Sequence, residues 1–145
     1  MNIREVTAAD LDGLLTLYTH LHENEIPPQS EALSALWQGI LDDTSHHIIV
    51  AEADGKLVSS CVCIIIPNLT HHQQPYAFVE NVVTHPEYRK QGYATACLAY
   101  AKTLAEREHC YKLMLLTGSK EESTLRFYRR AGYNSEDKTA FIQWL

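Results

Sequence analysis

The run Asn81-Val82-Val83-Thr84-His85-Pro86-Glu87-Tyr88-Arg89-Lys90-Gln91-Gly92-Tyr93-Ala94-Thr95-Ala96 changes character several times along its length. Its opening Val82-Val83-Thr84 is β-branched and favours an extended strand. Pro86 ends that ladder because it has no backbone donor. A basic turn follows, Arg89-Lys90-Gln91-Gly92, after which Ala94, Ala96, Cys97, Leu98, Ala99 and Ala101 continue as a helix rich in its best former. Strand, basic glycine turn and helix N-terminus in direct succession describe an anion site. The first N–H groups of a helix have no partner inside it, and the helix dipole favours negative charge there. Gly92 lets the backbone approach a phosphate closely, and Ala94 keeps the next position small. Arg89 and Lys90 add positive charge at the rim.

Spacing decides which phosphate ligand fits. A P-loop needs Lys followed by Ser or Thr after its last glycine, whereas Gly92 is followed by Tyr93. A dinucleotide fingerprint needs three glycines, and this turn has one. Arg89, Gly92 and Ala94 do fit Arg-x-x-Gly-x-Ala, which resembles the acetyl-coenzyme A signature of the GNAT superfamily of N-acetyltransferases. Glu80-Asn81-Val82-Val83-Thr84 stands where that family has its central strand. Phe127-Tyr128-Arg129-Arg130-Ala131-Gly132-Tyr133 is similar to its Phe-Tyr-x-x-x-Gly-Phe segment. The resemblance is close from Tyr76 to Tyr133 and covers the first 75 residues only through the order of elements.

Length and charge narrow the classes further. At 145 residues the chain can bury one core without staples and is expected to be a single domain, 1–145. No apolar run approaches the roughly 18 residues of a membrane span, and Met1-Asn2-Ile3-Arg4-Glu5 lacks the regions of a signal peptide. A cytoplasmic location away from any membrane is the default expectation. A net charge of −6 argues against nucleic acid as a partner, which requires a basic face. Cys61, Cys63, Cys97 and Cys110 lack zinc-like spacing and read as buried free thiols. The eight histidines form no ligand set, so no metal is expected. His71 or His72, in the loop before Glu80, is a candidate acceptor contact.

In chain order, a first strand around Ile3 and Glu5 precedes Thr7-Ala8-Ala9-Asp10, which resembles a capping box with Asp in place of Glu. Leu11, Leu14, Leu15, Tyr18 and Leu21 then keep helical spacing to about His22. Ser30 caps a second helix carrying Leu33, Leu36, Trp37, Ile40 and Leu41. The leucines of these two helices read as core cover, while Tyr18, Trp37 and the polar Glu23-Asn24-Glu25 stay open between core and acceptor pocket. Asp54-Gly55 joins two strand-like runs, 47–52 and 56–66, as a hairpin, and Tyr76 begins the strand that leads through Glu80. After a helix ending near Glu108, Tyr111–Thr117 is expected as a strand parallel to it. A last helix through Leu125, Phe127, Tyr128 and Ala131 stops at Gly132, and Lys138–Trp144 is expected as the final strand. The pattern is α/β with a mixed, largely antiparallel sheet. By resemblance this is the acyl-CoA N-acyltransferase (GNAT-like) fold, with splayed central parallel strands and flanking helices.

Two side chains carry the candidate chemistry. Strict alternation puts Glu80, Val82 and Thr84 on one strand face and Asn81 and Val83 on the other. A carboxylate midway along a central strand is costly unless paired or wet, so Glu80 is either a cross-strand salt bridge or a functional group. The resemblance implies a general base there. An alkyl amine is mostly protonated at neutral pH, with a lysine-like reference near about 10.4, and must lose a proton before it can attack. The resemblance further implies that the backbone of Val82, Val83 and Thr84 bonds the pantetheine arm in the gap between splayed strands. It places Arg89, Lys90, Gln91, Gly92, Tyr93, Ala94 and Thr95 around the pyrophosphate. Tyr128 is implied as the general acid that protonates the departing thiolate, beside the alternative of a tyrosine packed on Phe127. Relatives often carry Asn seven residues before that tyrosine, where this chain has Glu121.

The expected activity is direct transfer of the acetyl group of acetyl-CoA, with no metal, to a primary amine of a small molecule. The alternatives are a protein lysine or N-terminal amine as acceptor, or a CoA-sensing domain without catalysis. A homodimer formed through the C-terminal strand is a further expectation from the resemblance.

Overall fold

In the computed structural model, which describes residues 1–22 and 24–145, the main helices and strands follow one another with single-turn helices at Ala8–Asp10, Thr70–Gln73 and Pro86–Tyr88 between them. The main elements are β1 (Asn2–Glu5), α1 (Leu11–Tyr18), α2 (Glu31–Asp42), β2 (His46–Ala53), β3 (Lys56–Ile66), β4 (Tyr76–Thr84), α3 (Tyr93–Arg107), β5 (Leu113–Leu115) and α4 (Glu122–Arg130). Glu23 lies outside the described residues. One sheet runs β1-β2-β3-β4-β5. The first four strands pair antiparallel, and β5 joins β4 in parallel after the α3 crossover.

The local signals explain where these elements start and stop. The Asp10 carboxylate accepts from the Thr7 N–H at 2.6 Å before α1, and the Ser30 hydroxyl accepts from the Leu33 N–H at 3.0 Å at the head of α2. A paired stop closes α4: Tyr133 N–H donates to Tyr128 C=O and Gly132 N–H to Arg129 C=O, the Schellman arrangement. Both sheet faces are covered. Cys97, Leu98, Ala101, Leu104 and Ala105 form one stripe of α3 and pack on Ile49, Cys61, Cys63, Ala77 and Val79. On the other face Leu14 and Trp37 lie over Ile48, Val50 and Val62. Trp37 is therefore core cover, its indole N–H donating to Ala8 C=O at 3.2 Å.

Two expectations about strands need correction. Tyr111–Thr117 shortens to Leu113–Leu115, because β4 and β5 pair only from Ala77↔Leu113 to Val79↔Leu115. Past that point the strands part, and Leu116 and Thr117 have no ladder to join. Lys138–Trp144 forms no strand at all. Strand propensity is realised only against a partner, and no strand lies on the outer edge of β5 among the described residues. Phe141 and Trp144 are 92% and 86% exposed as a result.

A third correction concerns alternation along β4. The register with β3 skips between Ser60 and Val62, so one residue too many on β4 opposes Cys61. Asn81 absorbs it at φ +51°, a left-handed conformation that Asn tolerates better than most residues. The bulge reverses the facing of everything beyond it. Glu80 pairs with Val62 on the α1/α2 side. Val82 packs toward α3, and the Thr84 hydroxyl meets that of Ser59 at 2.8 Å.

Candidate active site

The turn between β4 and α3 exposes a row of free donors. Gly92 is the N-cap of α3 at φ +88°, a conformation that strains any L side chain. The first bond into the helix runs from Ala96 N–H to Gly92 C=O at 3.0 Å. Among the described residues, the amides of Gln91, Gly92, Tyr93, Ala94 and Thr95 donate to no backbone carbonyl. These are the orphan donors of a helix N-terminus, where the dipole favours an anion. Lys90 also takes a positive φ of +61°, and Arg89 Nε donates to Thr84 C=O at 3.3 Å. That bond ties the turn to the end of β4. Tyr88 braces the turn from behind, its hydroxyl donating to Asp54 at 3.2 Å and its ring lying edge-on to Tyr93.

Beside this turn the β4–β5 ladder ends at Val79, so β4 from Glu80 to Thr84 presents an unpaired edge toward the gap. The two features open into one cleft of about 900 Å³. Val82, Val83, Thr84, Arg89, Lys90, Gly92, Tyr93, Ala94, Thr95 and Tyr128 all line it. Gln91 does not, since its side chain turns back to donate to Glu87 C=O at 2.9 Å.

Tyr128 reaches the cleft from α4, its ring 5.0 Å from that of Phe127 and 6.3 Å from that of Tyr133. Burial, and secondarily the nearby Cys61, push its hydroxyl above the ordinary value of 10.0. A phenol so placed stays protonated through the neutral range and is available as a donor. Glu80 does not line the cleft. The Asn81 bulge turns it to the opposite side of β4, where it is exposed to water and has no ion-pair partner among the described residues. The salt-bridge alternative has no support, and burial imposes no cost.

His71 and His72 sit in a left-handed turn (φ +51° and +58°) before β4, with the His71 ring stacked on Tyr111 at 3.9 Å. That is the far end of β4 from the gap, so neither is placed to touch an acceptor there. Sequence reasoning missed three cleft residues, His20 and the cations Arg126 and Arg130. The i, i+4 spacing of the two arginines, which puts them on one helix face, was the available signal. Glu121, the departure from the usual Asn, also lines the cleft.

The thiols are chemically quiet. Cys61, Cys63 and Cys97 are buried, and burial raises all three, Cys63 to about 12 and Cys97 to about 11. The thiolate is the nucleophilic form of cysteine, and it is suppressed here.

A sheet that opens between two parallel strands, beside a helix N-terminus lined with free amides, defines the acyl-CoA N-acyltransferase fold. The chain belongs to the Acetyltransferase (GNAT) family, whose model matches residues 12–133. Family members take acetyl-CoA as acyl donor. The chain is 27% identical over 143 residues, 95% of its length and 92% of the relative's, to a glucosamine 6-phosphate N-acetyltransferase of Trypanosoma brucei brucei. Among solved structures, a provisionally assigned acetyltransferase of Agrobacterium tumefaciens str. C58 superposes with a TM-score of 0.90 at 33% identity, covering 99% of this chain and 100% of that one. The glucosamine-6-phosphate N-acetyltransferase of Arabidopsis thaliana shares the fold, with a TM-score of 0.86 at 18% identity and coverage of 99% and 97%.

Proposed function

We propose that this acetyltransferase moves the acetyl group of acetyl-CoA directly onto a primary amine of a small molecule, with amino sugars the favoured class. The observation that carries the donor half is the end of the β4–β5 ladder at Val79 beside the five undonated amides of residues 91–95. Those amides, with Arg89 and Lys90, match a pyrophosphate in charge and donor count. The freed edge of Val82, Val83 and Thr84 suits a pantetheine amide chain laid down as an added strand. Acetyl-CoA supplies the thioester. A backbone N–H near Val82 or Val83 polarises the thioester oxygen. Because the bulge sends Glu80 to the α1/α2 side, the amine approaches the gap from the face opposite the cleft. There Glu80 removes its proton directly or through water, and Tyr128 returns a proton to sulfur. The quiet thiols favour direct transfer over an acyl-enzyme. The relationship to a glucosamine 6-phosphate N-acetyltransferase across nearly the whole chain supports the acceptor class.

Thiol release from acetyl-CoA, measured with glucosamine 6-phosphate, aminoglycosides, polyamines and lysine peptides in parallel, tests this reading. Amino sugars are expected to turn over fastest. Turnover confined to peptides would move the acceptor to proteins, and no turnover with any amine would leave a CoA-sensing role. The four free cysteines fit a reducing compartment, and hence the cytoplasm.

The reading extends to a homodimer in which Lys138–Trp144 of each copy adds to the outer edge of its partner's β5. Each chain carries both an unfilled edge and an unpaired strand-like segment, so two copies satisfy each other reciprocally. Exposed Phe141 and Trp144 bury about 150–250 Å² apiece on docking. Two copies thus reach, with Ile142 and Leu145, the scale of a specific interface. Sedimentation should give a dimer that becomes monomeric when residues 138–145 are deleted. A native monomer, or a dimer that survives the deletion, contradicts the arrangement.

A further inference from the structure

The cleft concentrates positive charge in a chain that is acidic overall. Of twelve lysines and arginines set against eighteen acids, four line this one cleft: Arg89, Lys90, Arg126 and Arg130. They fall on two walls. Arg89 and Lys90 flank the amide turn, while Arg126 and Arg130 stand one helical turn apart on α4. The α4 pair is only weakly committed elsewhere. Arg126 Nε lies 4.0 Å from Glu122, at the limit of an ion pair, with its side chain 57% exposed. Glu122 is engaged more closely by Arg129, at 3.0 Å. Arg130 has no carboxylate partner among the described residues. Among the described residues, the one acid on the cleft wall is Glu121. The amide turn with its own two cations is already sufficient for a pyrophosphate, so the α4 pair marks a second anion position.

We infer that Arg126 and Arg130 bind the ribose 3′-phosphate of the donor, so that the enzyme selects free acyl-CoA over donors carrying the pantetheine arm without that phosphate. The inference rests on the donor reading above and adds a specificity determinant to it. A guanidinium pair offers forked donors to a phosphate dianion. Because both side chains are exposed, their effect is screened by salt.

Calorimetric titration of the native chain with CoA and with 3′-dephospho-CoA at low ionic strength separates the two levels. CoA is expected to bind about tenfold more tightly, with a preference that shrinks as salt is added. In Arg126→Ala/Arg130→Ala, CoA affinity should fall to that of dephospho-CoA, with no further loss for dephospho-CoA itself. Equal affinity of the native chain for both ligands overturns the inference and leaves the donor reading standing. Failure to bind either ligand removes the donor reading and the inference with it. An equal loss for both ligands in the variant also overturns the inference, since the arginines would then act on something the two ligands share.

Discussion

Replacing Tyr128 by Phe is expected to lower kcat about 10²-fold or more while CoA affinity stays within about twofold. The phenylalanine keeps the ring contacts with Phe127 and Tyr133 and removes only the hydroxyl, so packing is preserved and proton donation is lost. The pH profile adds a second readout. Burial holds this hydroxyl above its ordinary 10.0, so the donor form is fully present below that value and is lost only as pH rises through the elevated one. The native enzyme should therefore show no alkaline fall in kcat below about pH 10 from this group. Full activity of Tyr128→Phe would remove the hydroxyl from the chemistry. An alkaline limb below pH 9 that vanishes in the variant would contradict its raised affinity for the proton.

Glu80→Gln should cost about 10²- to 10³-fold in kcat/KM near neutral pH. The loss should shrink as pH rises. Below the acceptor amine's own pKa, which neighbouring oxygens hold under the lysine reference in an amino sugar, most of the amine carries the proton that Glu80 is proposed to remove. Above it the amine needs no base. Glu80 is exposed and unpaired, so the substitution should leave thermal stability nearly unchanged. A loss confined to KM and constant with pH would make Glu80 a charge contact for the acceptor rather than its base.

Much of the framework around this cleft is legible in the residues themselves. The β-branched run, the proline stop and the basic glycine turn each act locally, so the strand, turn and helix start from Val82 to Thr95 are readable from residue chemistry, while the roles of Val82, Val83 and Thr84 toward a donor come only from the family resemblance. The caps at Ser30 and Gly132 were equally local. What escaped depended on partners. Asn81 looks like one more strand residue until β3 is laid beside it and the extra residue opposite Cys61 becomes visible. That single bulge decides that Glu80 and Val82 face opposite ways, which simple alternation denies. Lys138–Trp144 carries the composition of a strand, yet nothing in its own residues says whether an edge will receive it. Arg126 and Arg130 read as an exposed helix surface until α4 is seen to form a wall of the cleft.

The central claim is that the amides from Gln91 to Thr95, with the open edge of β4, hold the acyl-CoA donor. Following backbone ¹⁵N–¹H resonances as CoA is added tests it most directly. The largest shifts are expected at 82–84 and 91–95, with little change in β1 or at the His71–His72 turn. Binding that leaves the 91–95 amides unmoved, or shifts centred elsewhere, would contradict it.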